Sequence, residues 1–194
     1  ESSNDPSIWG IKVVNQYPHD INLFTQGLFY HDGHLYEGTG KRGLSALSKR
    51  SLVANEVIMS SKLSSRYFGE GIALVDDKIY QLTWQSHMVF VYSRDSFEQL
   101  TTHYNATEGW GLAYDGAELI LSDGSATLQF IDPEKQKLKT SKKFDKLLQL
   151  QVRVQVNNKI LGAAIRSIVN SPVGMFSDEF APYLASAKAQ EADT

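Results

Sequence analysis

Apolar residues in this chain come in short stretches, none long enough to make a helical stripe convincing. Leu28-Phe29-Tyr30, Ile72-Ala73-Leu74-Val75, Met88-Val89-Phe90-Val91-Tyr92 and Leu128-Gln129-Phe130-Ile131 are each bounded by turn residues. Runs of that length between turn signals read as strands. The clearest signals are Asp32-Gly33, Asp76-Asp77 and Asp115-Gly116, which follow Leu28-Phe29-Tyr30-His31, Ile72-Ala73-Leu74-Val75 and Leu112-Ala113-Tyr114. Asp-Gly favours a tight hairpin because both central residues of a type I′ turn need positive φ. The return strands are then Leu35 to Thr39, Ile79 to Trp84 and Leu119 to Asp123, and a third strand follows each, stopped in the last case by Asp132-Pro133.

The same order of events recurs after Gly27, Gly71 and Gly111, at intervals of 44 and 40 residues. A repeat of that length fits a four-stranded propeller blade. The pattern predicts blades over about 24–66, 67–106 and 107–146, with a worn fourth copy over 147–176 and a tail over 177–194. In the fourth copy Leu148, Leu150, Val152, Val154 and Val156 alternate with Gln149, Gln151, Arg153 and Gln155, a strand with one wet face, and Asn157-Asn158 stands at the turn. Trp9 to Val14 reads as an opening strand without a partner in the first repeat, of the kind that closes a ring by joining the last blade. Phe180 to Thr194 has a composition compatible with a helix or a frayed tail. The expected architecture is all-β, one propeller-type domain over 1–194, incomplete at its C-terminal end.

Composition narrows the chemistry. With 194 residues a single core suffices, and 19 basic against 22 acidic residues leave a net charge of -3, with no basic run suited to nucleic acid or a membrane surface. No apolar run is long enough to span a membrane as a helix. The absence of cysteine excludes disulfides, thiolate metal sites and a cysteine nucleophile. The polar start, Glu1-Ser2-Ser3-Asn4-Asp5-Pro6 without methionine, reads as a processed terminus and favours a periplasmic or secreted protein.

The stretch with the most chemical promise is Tyr67-Phe68-Gly69-Glu70-Gly71-Ile72, a carboxylate between glycines with aromatic neighbours. Together with Tyr17-Pro18-His19-Asp20, Phe24-Thr25-Gln26-Gly27-Leu28, Tyr36-Glu37-Gly38-Thr39-Gly40, Tyr80-Gln81-Leu82-Thr83-Trp84-Gln85, Thr107-Glu108-Gly109-Trp110-Gly111-Leu112 and Leu121-Ser122-Asp123-Gly124-Ser125, it resembles the glutaminyl cyclases of the plant and bacterial type, five-bladed β-propellers. The resemblance covers roughly residues 9–140. Beyond it, Gln151-Val152-Arg153-Val154 stands where the family has Asn-Glu-Leu-Glu, Ile165 stands where a tryptophan is expected, and the fifth blade has no counterpart.

The resemblance implies a glutaminyl-peptide cyclotransferase, which converts the N-terminal glutamine of peptides or proteins to pyroglutamate and releases ammonia. Neither a cofactor nor a metal is implied, and no metal-ligand spacing stands out in the chain. An α-amine with a pKa near 8 must lose its proton before it can attack, so a base is required. Glu70 would be that catalytic base. Phe68, Trp84 and Trp110 would desolvate Glu70 and raise its pKa toward the working pH, and Phe24, Trp84 and Trp110 would form the apolar walls; Gln26, Gln85, Glu108 and Phe68 would bind substrate among them, and Gln26, Gln85 and Gln151 are candidate donors to the developing oxyanion.

Plainer readings stand beside these. By its residues alone, Glu70 fits a carboxylate tying backbone amides at a strand start better than a base; the resemblance reverses that order. Trp84 and Trp110 could be core aromatics, Gln26 could satisfy a turn, and Glu108 could only balance charge. His31 and His34 flank a hairpin tip, and Asn105-Ala106-Thr107 matches a glycosylation acceptor that short patterns meet by chance. The rival for the whole chain is a non-catalytic propeller fragment that binds peptides or self-associates through open blade edges.

Overall fold

The structure is a computed structural model that describes residues 15–135 and 137–143 and four short strands at 149–150, 153–156, 159–162 and 167–168. Three four-stranded sheets carry the fold. The first runs β1 (Thr25–His31), β2 (His34–Thr39), β3 (Ala46–Ser51) and β4 (Val57–Lys62); the second β5 (Gly69–Val75), β6 (Lys78–Thr83), β7 (Met88–Ser93) and β8 (Gln99–Tyr104); the third β9 (Leu112–Tyr114), β10 (Leu119–Ser122), β11 (Thr127–Asp132) and β12 (Lys137–Lys143). Each is an antiparallel meander in chain order.

The hairpins form where turn residues allow them. Asp32 and Gly33 both take positive φ, 47° and 76°, and His31 pairs directly with His34. At the second hairpin Asp76 alone turns left-handed, at 53°. The third differs from the expected two-residue turn. The loop runs from Asp115 to Glu118, because the Asp115 carboxylate accepts the backbone N–H groups of Ala117 and Glu118 at 2.9 and 2.7 Å and builds its own local turn.

Side chains on both faces of the middle sheet are buried, which explains why β7 reads as a continuous apolar run rather than an alternating one. One face, through Ile72, Ile79, Phe90 and Tyr92, meets Tyr36 and Leu47 of the first sheet. The other, through Ala73, Val75, Tyr80, Leu82, Val89 and Val91, meets Leu119 and Leu121 of the third. Each fully buried leucine or isoleucine here contributes about 1.5–3 kcal/mol. The outermost strands are wet: every residue of β12 is exposed.

The inner strands touch one another. Gly71 N–H donates to the Trp110 carbonyl at 2.8 Å. A Cβ on Gly27 would lie 2.5 Å from the Ile72 backbone nitrogen, and one on Gly71 would lie 2.6 Å from that of Leu112. Those two glycines recur because successive inner strands approach with no room for a side chain.

Past the third sheet, Arg153–Val156 pairs antiparallel with Lys159–Gly162, flanking positions 157–158, and Gln149–Leu150 pairs with Ser167–Ile168. The opening strand at 9–14, the candidate donor Gln151, the divergent Ile165 and the tail over 177–194 lie outside the described residues.

Candidate active site

The inner strands of the first two sheets each carry a bulge at a candidate site residue. In β1, Thr25 pairs with Thr39 and Gly27 with Gly38, so Gln26 is the extra residue. In β5, Gly69 pairs with Thr83 and Ile72 with Gln81, so one extra residue falls at Glu70-Gly71. A bulge takes a side chain out of the regular alternation and re-aims it. The two re-aimed side chains meet: Gln26 Nε2 donates to Glu70 Oε2 at 2.7 Å. Glu70 is only 6% exposed.

An aromatic wall runs beside this pair. Phe24 and Phe68 meet edge to face with centroids 6.1 Å apart, and Phe68 meets Trp84 in the same way at 5.7 Å. Gly40 makes this possible, since a Cβ there would lie 2.4 Å from the Phe68 ring and 3.0 Å from Gln26 Cγ. The Trp110 ring lies against Gly124, where a Cβ would come within 2.6 Å of it. Lys41 brings a cation to the rim, its Nζ 5.1 Å from the centre of the Phe24 ring.

Glu108 joins the two indoles. Its Oε2 accepts Trp84 Nε1–H at 2.8 Å and Trp110 Nε1–H at 3.0 Å. The Trp110 bond, with further help from Trp84, Gln85 and the neighbouring His87, outweighs desolvation and holds the Glu108 carboxyl below the usual carboxylate range. This acid is an anchor for two aromatic side chains.

Phe24, Gln26, Phe68, Glu70, Trp84, Glu108 and Trp110 are therefore contiguous, linked by ring contacts, by side-chain hydrogen bonds and by the Gly71–Trp110 backbone bond beside Glu70. Gln85 is exposed and its side chain hydrogen-bonds the Glu108 carboxylate. Asn105 of the glycosylation-like triplet is buried, its Nδ2 donating to the Thr107 carbonyl at 2.8 Å. His34 Nδ1 faces the Asp32 carbonyl at 2.6 Å within the hairpin tip, while His31 Nε2 faces Arg94 Nη1, just past β7 of the second sheet, at 3.4 Å.

Reasoning from sequence gave no role to Gly40, Lys41 or Glu37. Glu37 is wholly buried on β2 and accepts a hydrogen bond from Thr25 Oγ1 at 2.5 Å, with His19 Nε2 2.9 Å away and Arg50 Nε at 3.2 Å. The available signal was an acid in the middle of an otherwise apolar strand, Leu35-Tyr36-Glu37-Gly38, where burial demands partners.

Face-to-face four-stranded sheets whose inner strands touch and present polar side chains define a β-propeller. The WD40 domain of Neurospora crassa Pan2 shares that fold with a TM-score of 0.53 at 11% identity, over 61% of this chain and 36% of that one. The crystal structure of Myxococcus xanthus glutaminyl cyclase is more similar, with a TM-score of 0.63 and 33% identity over 68% of this chain and 56% of that one. A glutaminyl-peptide cyclotransferase of Arabidopsis thaliana is 37% identical over 130 residues, 66% of this chain and 41% of that protein. The glutamine cyclotransferase family matches residues 1–158, and the chain belongs to that family. The matches span 41% and 56% of the lengths of the Arabidopsis and Myxococcus proteins.

Proposed function

We propose that the protein is a glutaminyl-peptide cyclotransferase, acting on peptides and proteins that begin with glutamine. The observation that carries this reading is the Gln26–Glu70 pair: a nearly buried carboxylate, held at 2.7 Å by an amide and bordered by an aromatic wall, at the inner edge of the propeller. Kinship with the Arabidopsis and Myxococcus proteins supports it.

In this reading Glu70 takes a proton from the substrate α-amine. The amine nitrogen then attacks the γ-carbonyl carbon of the same glutamine, forming the lactam C–N bond. The tetrahedral intermediate collapses with cleavage of the amide C–N bond: the attacking nitrogen gives one of its two N–H protons to the leaving NH2, which departs as ammonia, the lactam keeps one N–H, and Glu70 hands the proton it took to that ammonia, which leaves as ammonium. Because nucleophile and electrophile belong to one residue, holding the chain in the folded-back conformation supplies much of the rate. Phe24, Phe68, Trp84 and Trp110 form the walls that impose it, and Glu108 keeps both indoles in place. An amide NH2 has two donors. With one on Glu70, the second N–H of Gln26 would be the donor to a substrate oxygen.

The test is ammonia release from a peptide with N-terminal glutamine. Glu70→Gln should lower turnover by ~10²–10⁴-fold, the usual worth of a general base. Glu108→Gln, which still offers an acceptor to an indole, should lose less than about tenfold and mainly in KM. Equal losses in both variants would overturn the assignment of Glu70 as base.

A second reading, a non-catalytic module that self-associates, has one observation in its favour. Leu28 and Tyr30, on the same face of β1, are each 40% exposed. Wild-type protein that is folded yet releases no ammonia above background would favour it.

A further inference from the structure

Gln26 can hold Glu70 only if the β1 bulge keeps its shape, and the structure shows what fixes that shape. In the paired part of the hairpin Leu28 stands opposite Glu37, and past the bulge Thr25 stands opposite Thr39. Opposed residues share a face, and Glu37 and Thr39, two apart on β2, share one as well. The extra residue therefore returns Thr25 to the face of Glu37. In a regular strand Thr25 and Leu28, three apart, would point to opposite faces.

On that face the Thr25 hydroxyl donates to Glu37 Oε1 at 2.5 Å, and His19 Nε2 reaches the same oxygen at 2.9 Å. The carboxylate is in turn fixed from behind by Arg50, itself held by Ser48 Oγ at 3.3 Å and by the side chain and carbonyl of Asn55 at 3.2 and 3.3 Å. The Phe24 carbonyl accepts the Gly40 N–H at 2.8 Å. Immediately before Gln26 the chain is thus held at Phe24 by its backbone and at Thr25 by its side chain, and the His19 side chain anchors the segment further upstream. A wholly buried carboxylate is costly unless its oxygens are occupied, so Glu37 has to hold its donors in fixed positions.

We propose that Glu37 and Thr25 are positioning residues for the active site: the Glu37 carboxylate fixes the Thr25 hydroxyl, which locks the β1 bulge and so sets the Gln26 amide on Glu70. The role rests on the reading of Glu70 as the base. It predicts that disturbing a hydroxyl which touches neither Glu70 nor substrate reproduces the loss of Gln26.

Thr25→Val is the decisive variant, since it keeps the shape and removes the donor; Thr25→Ser keeps the donor. Thr25→Val and Gln26→Ala should each lower kcat on the order of 10–100-fold, the cost of misplacing a reacting geometry. The double variant should lose no more than the larger single loss, as coupled residues do, and Thr25→Ser should restore most of the rate. The side-chain NH2 resonances of Gln26 give a readout that does not need turnover. Their hydrogen-bonded shift should persist in wild type and Thr25→Ser and vanish in Thr25→Val. Additive losses, or an unchanged Gln26 signal in folded Thr25→Val, would overturn the proposal. If wild type releases no ammonia but the Gln26 signal still follows Thr25, the reading of Glu70 as base falls and the Thr25 link to Gln26 stands.

Discussion

His19 binds a carboxylate that cannot reach water, and this makes the first sheet sensitive to pH. Its hydrogen bond to Glu37 raises the imidazole above its ordinary value against the opposing pull of burial. For Glu37, desolvation pushes the carboxyl up, and the bonds from His19 and Thr25 with the charges of His19 and Arg50 outweigh it, leaving it lowered. A raised histidine contributes stability that is fully present below its unfolded value near 6.5 and is lost as pH rises through the folded value. The lowered carboxylate contributes above its unfolded value, so it stays constant over the same window. The urea midpoint of the wild type should therefore fall as the pH rises above about 6.5. His19→Gln, which keeps a donor but does not titrate, should remove most of that slope; a slope as steep in the variant would place the pH dependence elsewhere.

At the scale of strands and turns, much was legible because turn chemistry and strand length speak locally. Asp32-Gly33 announces its own hairpin, and the apolar runs at 72–75 and 88–92 could only be strands. The bulges were not legible. Gln26 and Glu70 occupy unremarkable strand positions in a linear reading, and only the observed register makes each an extra residue. Nor was the Thr25–Glu37 bond, because the alternation of an unbulged strand puts those side chains on opposite faces. Asp115-Gly116 misled for the converse reason: the aspartate's own carboxylate organises a longer loop. The candidate site residues were visible as motifs, whereas Glu108 as an indole anchor needed coordinates.

Glycines separate two kinds of constraint. Gly33 has φ of 76° with open space around it, while Gly71 has an ordinary φ and backbone at 2.6 and 2.7 Å from any added Cβ. Gly33→Ala should cost only the left-handed strain, about 1–2 kcal/mol, and Gly33→Asn less. Gly71→Ala must separate β5 from the Trp110–Leu112 segment that leads into β9, an overpacking cost toward the upper end of about 1–3 kcal/mol. Urea denaturation should thus show a larger drop in midpoint for Gly71→Ala, with ammonia release falling alongside; a smaller drop than in Gly33→Ala would contradict the close approach of the inner strands.

For the whole molecule, the decisive question is which surface a second copy would use. The β12 edge carries Lys137, Lys139, Lys142 and Lys143, all exposed, and edge lysines oppose strand addition. Leu28 and Tyr30 instead offer apolar area on the face of the first sheet turned away from the second, at 40% exposure each. If copies associate, they should do so by that face and not by the outer edge. Sedimentation velocity should then show mass rising with concentration in the wild type, a single monomeric species in Leu28→Lys combined with Tyr30→Lys, and no effect of Lys139→Ala. A monomeric wild type at all concentrations would remove self-association as a function of this face.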